Sequence, residues 1–342
     1  MKLPPAARWL LWPLSVVYDG VVRVRAWCYG RGMRKERRLG GVVVSVGNLT
    51  VGGTGKTPMV MWIAQRWIEE GKTVGILTRG YRGREAAAGR GRLRSDEAAL
   101  LRERLGKKAH LGIGANRYEK GRMIERLGIE RFVLDDGFQH IALARDVDVV
   151  LIDASDPFGS GHLLPAGRLR EPKSALGRAD ILVITRSAHA PALEAVLRHH
   201  TAAPIFYAQA ELEGVLPYPV EGGTSTGLDP RGARFFAFCG IGNPGAFFED
   251  LRRWNISPVG SASFRDHHRY SQADANELER RARAAGATAL LCTEKDIYNL
   301  DRVAIGALPL LYCRIALALS DPDGFWQAIA RTIEGERGGG PR

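Results

Sequence analysis

Apolar residues fall along the chain in short blocks separated by amphipathic stretches, the rhythm of an α/β protein with a mostly parallel sheet. Val42 to Val46, Thr73 to Leu77, Phe132 to Leu134, Val147 to Ile152 and Ile181 to Thr185 are short apolar runs. Lacking polar alternation, they predict strands buried on both faces. Met59, Val60, Trp62, Ile63 and Trp67 instead recur at helical spacing, and a second helix is expected over Pro191 to Leu197, before a strand at Ile205 to Gln209. Glu211 to Gly232 mixes Pro, Gly, Ser and Thr without a long periodic run and reads as a linker. The rhythm then resumes with strands at Phe235 to Cys239, near Val259, at Ala289 to Thr293 and at Leu310 to Ile315. Helices are expected over Pro244 to Trp254, Ser271 to Ala285 and Phe325 to Ile333. The pattern predicts a larger domain at 31–210, a linker at 211–232, a smaller C-terminal α/β domain at 233–335, and a separate N-terminal helix at 1–30.

That first segment is apolar and basic together. Its uncharged run, Trp9 to Tyr18, is interrupted by Pro13 and falls short of the roughly 20 residues that span a bilayer. No small-residue cleavage site follows, so a signal peptide is not expected. Leu14, Val17, Tyr18, Val21 and Cys28 share one helical face. Trp9, Trp12 and Trp27 suit a headgroup region, and Arg8, Arg31, Arg34, Lys35, Arg37 and Arg38 add positive charge. The segment reads either as an interfacial helix on an anionic membrane or as a helix packed on the protein's own core.

Totals narrow the field only a little. A chain of 342 residues suits two domains, and 45% hydrophobic with 25% charged residues is ordinary for a globular protein. Forty-nine Lys and Arg against 37 Asp and Glu leave +12, which points to nucleic acid, a phosphorylated substrate or an anionic membrane as partner. The four cysteines show no paired spacing, which argues against a zinc site or disulfide framework and fits a reducing cytosol. Cys239 and Cys292 lie in apolar runs and are expected in the core.

The chemistry begins where the first strand ends. Gly47-Asn48-Leu49-Thr50-Val51-Gly52-Gly53-Thr54-Gly55-Lys56-Thr57 joins that strand to a helix, the order of a phosphate-binding P-loop. Glycines let backbone N–H groups converge on phosphate oxygens, and the helix N-terminus adds partial positive charge. Lys56 is placed to reach the terminal phosphates and the Thr57 hydroxyl to bind Mg²⁺, whereas Thr50 stands where the standard pattern has glycine. Thr78-Arg79-Gly80-Tyr81-Arg82-Gly83 follows the second strand at the edge where ligands collect in open α/β sheets. There Arg79 and Arg82 are phosphate candidates or solvated loop residues. Ser95 is expected to cap a helix opening with Asp96-Glu97, a pair that serves either the helix dipole or chemistry. Phe132-Val133-Leu134 runs into Asp135-Asp136-Gly137-Phe138-Gln139-His140, a Walker B arrangement for Mg²⁺. Strand alternation lets one of the two aspartates face the metal without saying which. His162 to Pro172, apolar at its start with clustered arginines, suits an amphiphilic anionic ligand. Asp266-His267-His268 admits zinc binding, a helix cap, or a catalytic imidazole.

These motifs together resemble the tetraacyldisaccharide 4′-kinases of lipid A biosynthesis. The resemblance is carried by Ser45 to Pro58, Thr78-Arg79-Gly80-Tyr81, Asp96-Glu97, Asp135 to His140, Leu163 to Gly167 and Leu169 to Pro172. Phe238 to Pro244, Asp266-His267-His268 and Thr293-Glu294-Lys295-Asp296 extend it over most of the chain. Thr50 is part of the family pattern; Arg168 and Ala98 depart from it, standing where the family usually has proline. The resemblance implies transfer of the ATP γ-phosphate to the 4′-hydroxyl of a lipid A disaccharide 1-phosphate, giving lipid IVA. The setting would be the cytoplasmic face of a Gram-negative inner membrane, with the protein bound peripherally. It implies Asp96 and His267 as the catalytic pair, set on different domains by the boundaries above, and Thr50, Gly52, Gly53, Thr54, Gly55, Lys56 and Thr57 as the ATP loop. Thr57, Asp135 and Asp136 would serve the metal. Arg79, Arg117, Gln139, His140 and Arg170 are substrate candidates, the three arginines for its 1-phosphate.

Two rivals remain at this level. A regulatory GTPase would need an Asn/Thr-Lys-x-Asp motif, and Thr293-Glu294-Lys295-Asp296 places lysine one position late. A nucleic-acid-binding ATPase is suggested only by the +12 charge, whereas the basic cluster adjoins a Trp-bearing apolar terminus.

Overall fold

The computed structural model describes residues 5–80, 96–218, 232–300, 303–304 and 306–338. Arg82, the Ser95 cap and most of the expected linker lie outside them. The chain groups into two compact units. Met1–Arg90, Leu101–Gln209 and Leu317–Arg342 form the first; Gly91–Leu100 and Ala210–Ala316 form the second.

In chain order the elements up to the second unit are α1 (Pro5–Gly30), β1 (Val42–Asn48), α2 (Lys56–Glu69), β2 (Val74–Thr78), α3 (Asp96–Leu105) and β3 (Ala109–Ile113). They continue with α4 (Arg117–Glu125), β4 (Arg131–Asp135), β5 (Val147–Asp153), β6 (Ile181–Thr185), α5 (Pro191–Arg198) and β7 (Ile205–Pro217). Then follow β8 (Phe235–Cys239), α6 (Pro244–Arg253), β9 (Gly260–Ser263), α7 (Gln272–Ala284), β10 (Ala289–Thr293), α8 (Glu294–Ile297), β11 (Leu310–Leu319) and α9 (Pro322–Gly338).

In the first unit the strand order is β3-β2-β4-β1-β5-β6-β7, and each neighbouring pair is parallel. All seven residues of β1 are buried, as expected of a central parallel strand covered on both faces. Its register sets Val46 beside Asp135 on β4 and Asn48 beside Leu151 on β5. The loops leaving β1 and β4 therefore emerge side by side at the C-terminal edge of the sheet. Gly47 is required there: a Cβ at that position would lie 2.5 Å from the Cβ of Phe138.

α9 was expected with the C-terminal domain but belongs to the first unit. The reason is aromatic packing on α2. Trp62 and Phe325 meet at 5.4 Å, Trp67 and Trp326 at 5.8 Å, and the Trp326 indole donates to Glu70 at 2.8 Å. Phe325 and Ile329 are fully buried by this contact.

α1 is held to the first unit by a narrow stripe. Ser15 is buried, donating to Leu163 O and accepting from Ala166 N, both at 3.0 Å. Tyr18 donates to Arg170 O and Arg25 to Gln139 O, again at 3.0 Å. Leu14, Val17 and Val21 instead point to solvent together with Trp9, Trp12, Val24 and Trp27, each more than half exposed. The helix thus turns a polar stripe inward and an apolar flank outward. No helix among the described residues is long and apolar enough to cross a membrane.

In the second unit four parallel strands run in the order β11-β10-β8-β9. Phe236, Phe238, Leu290 and Cys292 serve one core; Phe235, Ala237, Cys239 and Leu291 serve the other, the alternation of a sheet covered on both faces. Burial pushes the Cys239 and Cys313 thiols up to about 12, so they stay protonated core residues.

Candidate active site

A phosphate-binding arrangement is built in the first unit. β1 ends at Asn48, a fully buried amide whose Nδ2 donates to Thr50 O at 2.7 Å and whose Oδ1 accepts from Lys56 Nζ at 3.1 Å. One side chain therefore shapes the loop and aims its lysine, a role that its place in the motif did not reveal. Gly55, at φ 87°, begins α2 with no side-chain cap. In phosphate loops the ligand oxygens take the place of such a cap. The Thr54 hydroxyl is buried and has no hydrogen-bond partner among the described residues, and Thr57 is buried beside it.

Arg168, a departure from the family pattern, braces the same loop. Its Nε and second amino group donate to Val51 O at 3.0 and 2.6 Å, and its first amino group donates to Asp156 at 2.8 Å.

The two aspartates after β4 divide. Asp135 is buried and accepts from the Thr78 hydroxyl at 3.0 Å. Asp136, at φ 51°, lies 3.6 Å from Lys56 and accepts from Arg170 at 2.7 Å. Burial opposes its charge, but Lys56 and Arg170 outweigh burial and hold its carboxyl below the ordinary value. Arg170 also donates to Gln139 Oε1 at 3.2 Å, and Gln139 donates to Asn48 O at 3.0 Å. Arg117 is buried, its Nε has no partner among the described residues, and burial lowers its pKa against the pull of Asp136. Arg79 is exposed and its charge is felt at Arg117. Burial, then Arg117 and Arg145, push His140 down from 6.5 to about 4, so it offers a neutral ring. Lys56, Asp136, Gln139 and Arg170 are thus brought into one network with Asn48, and Arg117, His140 and Arg79 stand in its electrostatic field.

This set fits a nucleotide triphosphate with Mg²⁺. Unsatisfied buried donors at Thr54 and Arg117 ask for anionic oxygens. The Thr57 hydroxyl and the aspartates are the hard oxygen ligands that Mg²⁺ accepts alongside water and phosphate.

A carboxylate–imidazole pair lies in the second unit. Asp96 opens α3, and its residue belongs with this unit rather than with the larger domain in which the sequence placed it. The cause is local: Lys295 Nζ donates to Glu97 at 2.8 Å, Asn299 Nδ2 to Asp96 Oδ2 at 3.2 Å, and His267 Nδ1 approaches the same oxygen at 2.9 Å. Asp96 is only 7% exposed. Burial would raise its pKa, but His267, Lys295 and Asn299 together lower it. The hydrogen bond that His267 donates to Asp96 raises the pKa of His267 against burial. His268 turns away to Asp274 at 3.1 Å, beside the α7 cap, so it does not join His267 as a metal ligand. Asp296, 1% exposed, accepts from Gly240 N, Tyr270 OH and Thr293 Oγ1 at 2.8, 2.7 and 2.6 Å. A carboxylate sealed in this way is not placed to read a guanine base.

A parallel α/β sheet, a loop of this construction at the end of its central strand, and a buried carboxylate held by imidazole define a P-loop phosphotransferase. The family pattern described as LpxK, tetraacyldisaccharide-1-P 4′-kinase, matches residues 7–334. The chain belongs to this family. It is 40% identical over 341 residues to the tetraacyldisaccharide 4′-kinase of Geobacter metallireducens, spanning 95% of this chain and 98% of that one. The Koribacter versatilis enzyme of the same name is 37% identical over 339 residues, at 95% and 99% coverage. Among solved structures, LpxK from Aquifex aeolicus in complex with ATP superposes with a TM-score of 0.73 at 31% identity, covering 96% of this chain and 99% of that chain.

Proposed function

We propose that this chain transfers the γ-phosphate of ATP to the 4′-hydroxyl of a tetraacyldisaccharide 1-phosphate, forming lipid IVA in lipid A biosynthesis. The observation that carries the reading is the pairing of Asp96 with His267 in a chain that also bears the phosphate loop. Asp96 accepts the proton of the attacking hydroxyl while the sugar oxygen bonds to phosphorus and the bond to the ADP oxygen breaks. His267 orients Asp96 and offsets its charge. Lys56 neutralises charge that grows on the transferred group. Mg²⁺, held by Thr57 and the Asp135–Asp136 pair, would supply further neutralisation. Arg117 is the foremost candidate for the substrate 1-phosphate because its buried Nε has no acceptor among the described residues, with Arg79 and Arg170 as further candidates and Gln139 and His140 as neutral sugar contacts.

The outward flank of α1 supports peripheral binding to an anionic bilayer, at the cytoplasmic face of the bacterial inner membrane. Its tryptophans and valines suit the headgroup boundary, and Arg31, Arg34 and Lys35 follow it in sequence.

γ-Labelled ATP with tetraacyldisaccharide 1-phosphate in mixed micelles tests the reading. Label is expected in the lipid, dependent on Mg²⁺ and lost in Lys56→Ala. ATP hydrolysis with no label in the lipid would overturn it.

A further inference from the structure

We propose that Asn299 is a positioning residue for the reaction: its amide closes off one oxygen of Asp96, so that the proton is taken by the other. The inference rests on Asp96 being the base. An ionised carboxylate offers about four acceptor sites, two on each oxygen. At Oδ2 both are filled, by His267 Nδ1 at 2.9 Å and Asn299 Nδ2 at 3.2 Å. At Oδ1 the Glu97 N–H takes one at 2.9 Å, and His267 Nδ1, whose one proton is directed to Oδ2 at the shorter distance, lies 3.2 Å away and adds no second donor. Among the described residues, Oδ1 therefore keeps the site open to a hydroxyl proton.

The amide is itself held by a built frame. Asn299 N donates to Asp296 O at 2.9 Å, and Asn299 O accepts from Tyr270 N at 3.2 Å. Asp296, three residues before Asn299, gathers the ends of β8 and β10 through Gly240 and Thr293. Gly240 O in turn accepts from His267 N at 3.0 Å, fixing an imidazole whose residue sits at φ 55°. A Cβ at Gly240 would crowd His268, Arg265 and the Tyr270 hydroxyl at 3.1–3.2 Å. Asp296 thus bears on both partners of Oδ2, on His267 through its carboxylate and Gly240, and on Asn299 through its backbone carbonyl.

The charged groups facing Asp96 are His267 from the loop after β9, Lys295 from α8 and Glu97 from α3, with Asp266 beside His267. Against this fixed background, removing the amide takes a donor from the ionised form alone. The carboxyl then protonates more readily, and the acid limb of the pH–rate profile moves to higher pH.

The test compares Asn299→Ala with the isosteric Asn299→Asp. On the acid limb Asn299→Ala should lose about tenfold in kcat, while on the alkaline plateau it stays within about threefold of wild type and KM for ATP is unchanged. Asn299→Asp should move the limb further still, because it sets a second negative charge against Oδ2. Carbonyl ¹³C NMR of labelled aspartate should show the Asp96 titration rising in the same order, whatever the turnover. If both variants lose kcat equally at every pH, or if the isostere is the milder, Asn299 only supports the fold and the proposal fails. A shifted ¹³C titration beside an active Asp96→Asn would instead overturn the base itself, and the proposal with it.

Discussion

Lys56 lies 3.1 Å from the Asn48 amide oxygen and 3.6 Å from the Asp136 carboxylate, contacts that hold its charge beside the loop. Lys56→Ala should therefore lower kcat by about 100-fold or more at saturating ATP, measured in the micelle assay. Turnover near wild type would remove the loop from the chemistry. Arg168 acts on the same loop differently. By holding Val51 O it orders the backbone before ATP arrives, which favours ground state and transition state alike. Arg168→Ala should raise KM for ATP about 3- to 10-fold with kcat little changed. A fall in kcat at constant KM would point to a direct contact with the transferred group. Asp96 and His267 share one hydrogen bond and should behave as one group. Asp96→Asn and His267→Ala are each expected to cut kcat strongly, with the double variant far less impaired than their product. Fully multiplicative losses would mean separate roles.

Among the elements, the buried strands were the most legible in sequence: β1, β4, β5, β6, β8 and β10 all lie on the expected apolar runs. Unbroken apolar runs ending in glycine or aspartate leave a parallel strand little choice of environment. α1 was harder because its apolar face suits a protein core and a membrane surface equally, so periodicity could not say which side faces the protein. The side chosen contains Ser15, whose hydroxyl meets two backbone groups that no apolar residue could satisfy. The exposed flank leads to a prediction for the element as a whole. Removal of residues 1–30 should weaken binding to anionic vesicles about tenfold or more while a cooperative unfolding transition persists. Vesicle affinity unchanged beside a lost transition would make α1 a core element. α8 was legible as a motif and silent as to purpose. Its links to Asp96 and Glu97 join residues about two hundred positions apart, and no local spacing records such a contact.

For the whole molecule, the Asp96–His267 pair ties stability to pH. His267 is raised from 6.5, so its contribution is complete below that value and is lost as pH climbs through the folded value. Asp96 is lowered from 3.8, so its share is present above that value and is lost as pH falls through the folded one. Both are in force between 3.8 and 6.5. His267→Ala should accordingly cost about 1–2 kcal/mol in urea unfolding near pH 5.5 and less near pH 9. Equal losses at the two values would mean that the ring matters only for packing. A different consequence follows from α9, which joins the first unit although the main segment of the second unit precedes it in the chain. Trp62 and Trp67 are synthesised early but wait for Phe325 and Trp326, and the second unit must emerge in between. On the ribosome the ATP-binding unit is therefore completed only after the main segment of the second unit has been made, although its loop is translated before that segment begins. Stalled nascent chains ending before residue 320 should leave the α2 tryptophans open to a chaperone, and chains that include α9 should not.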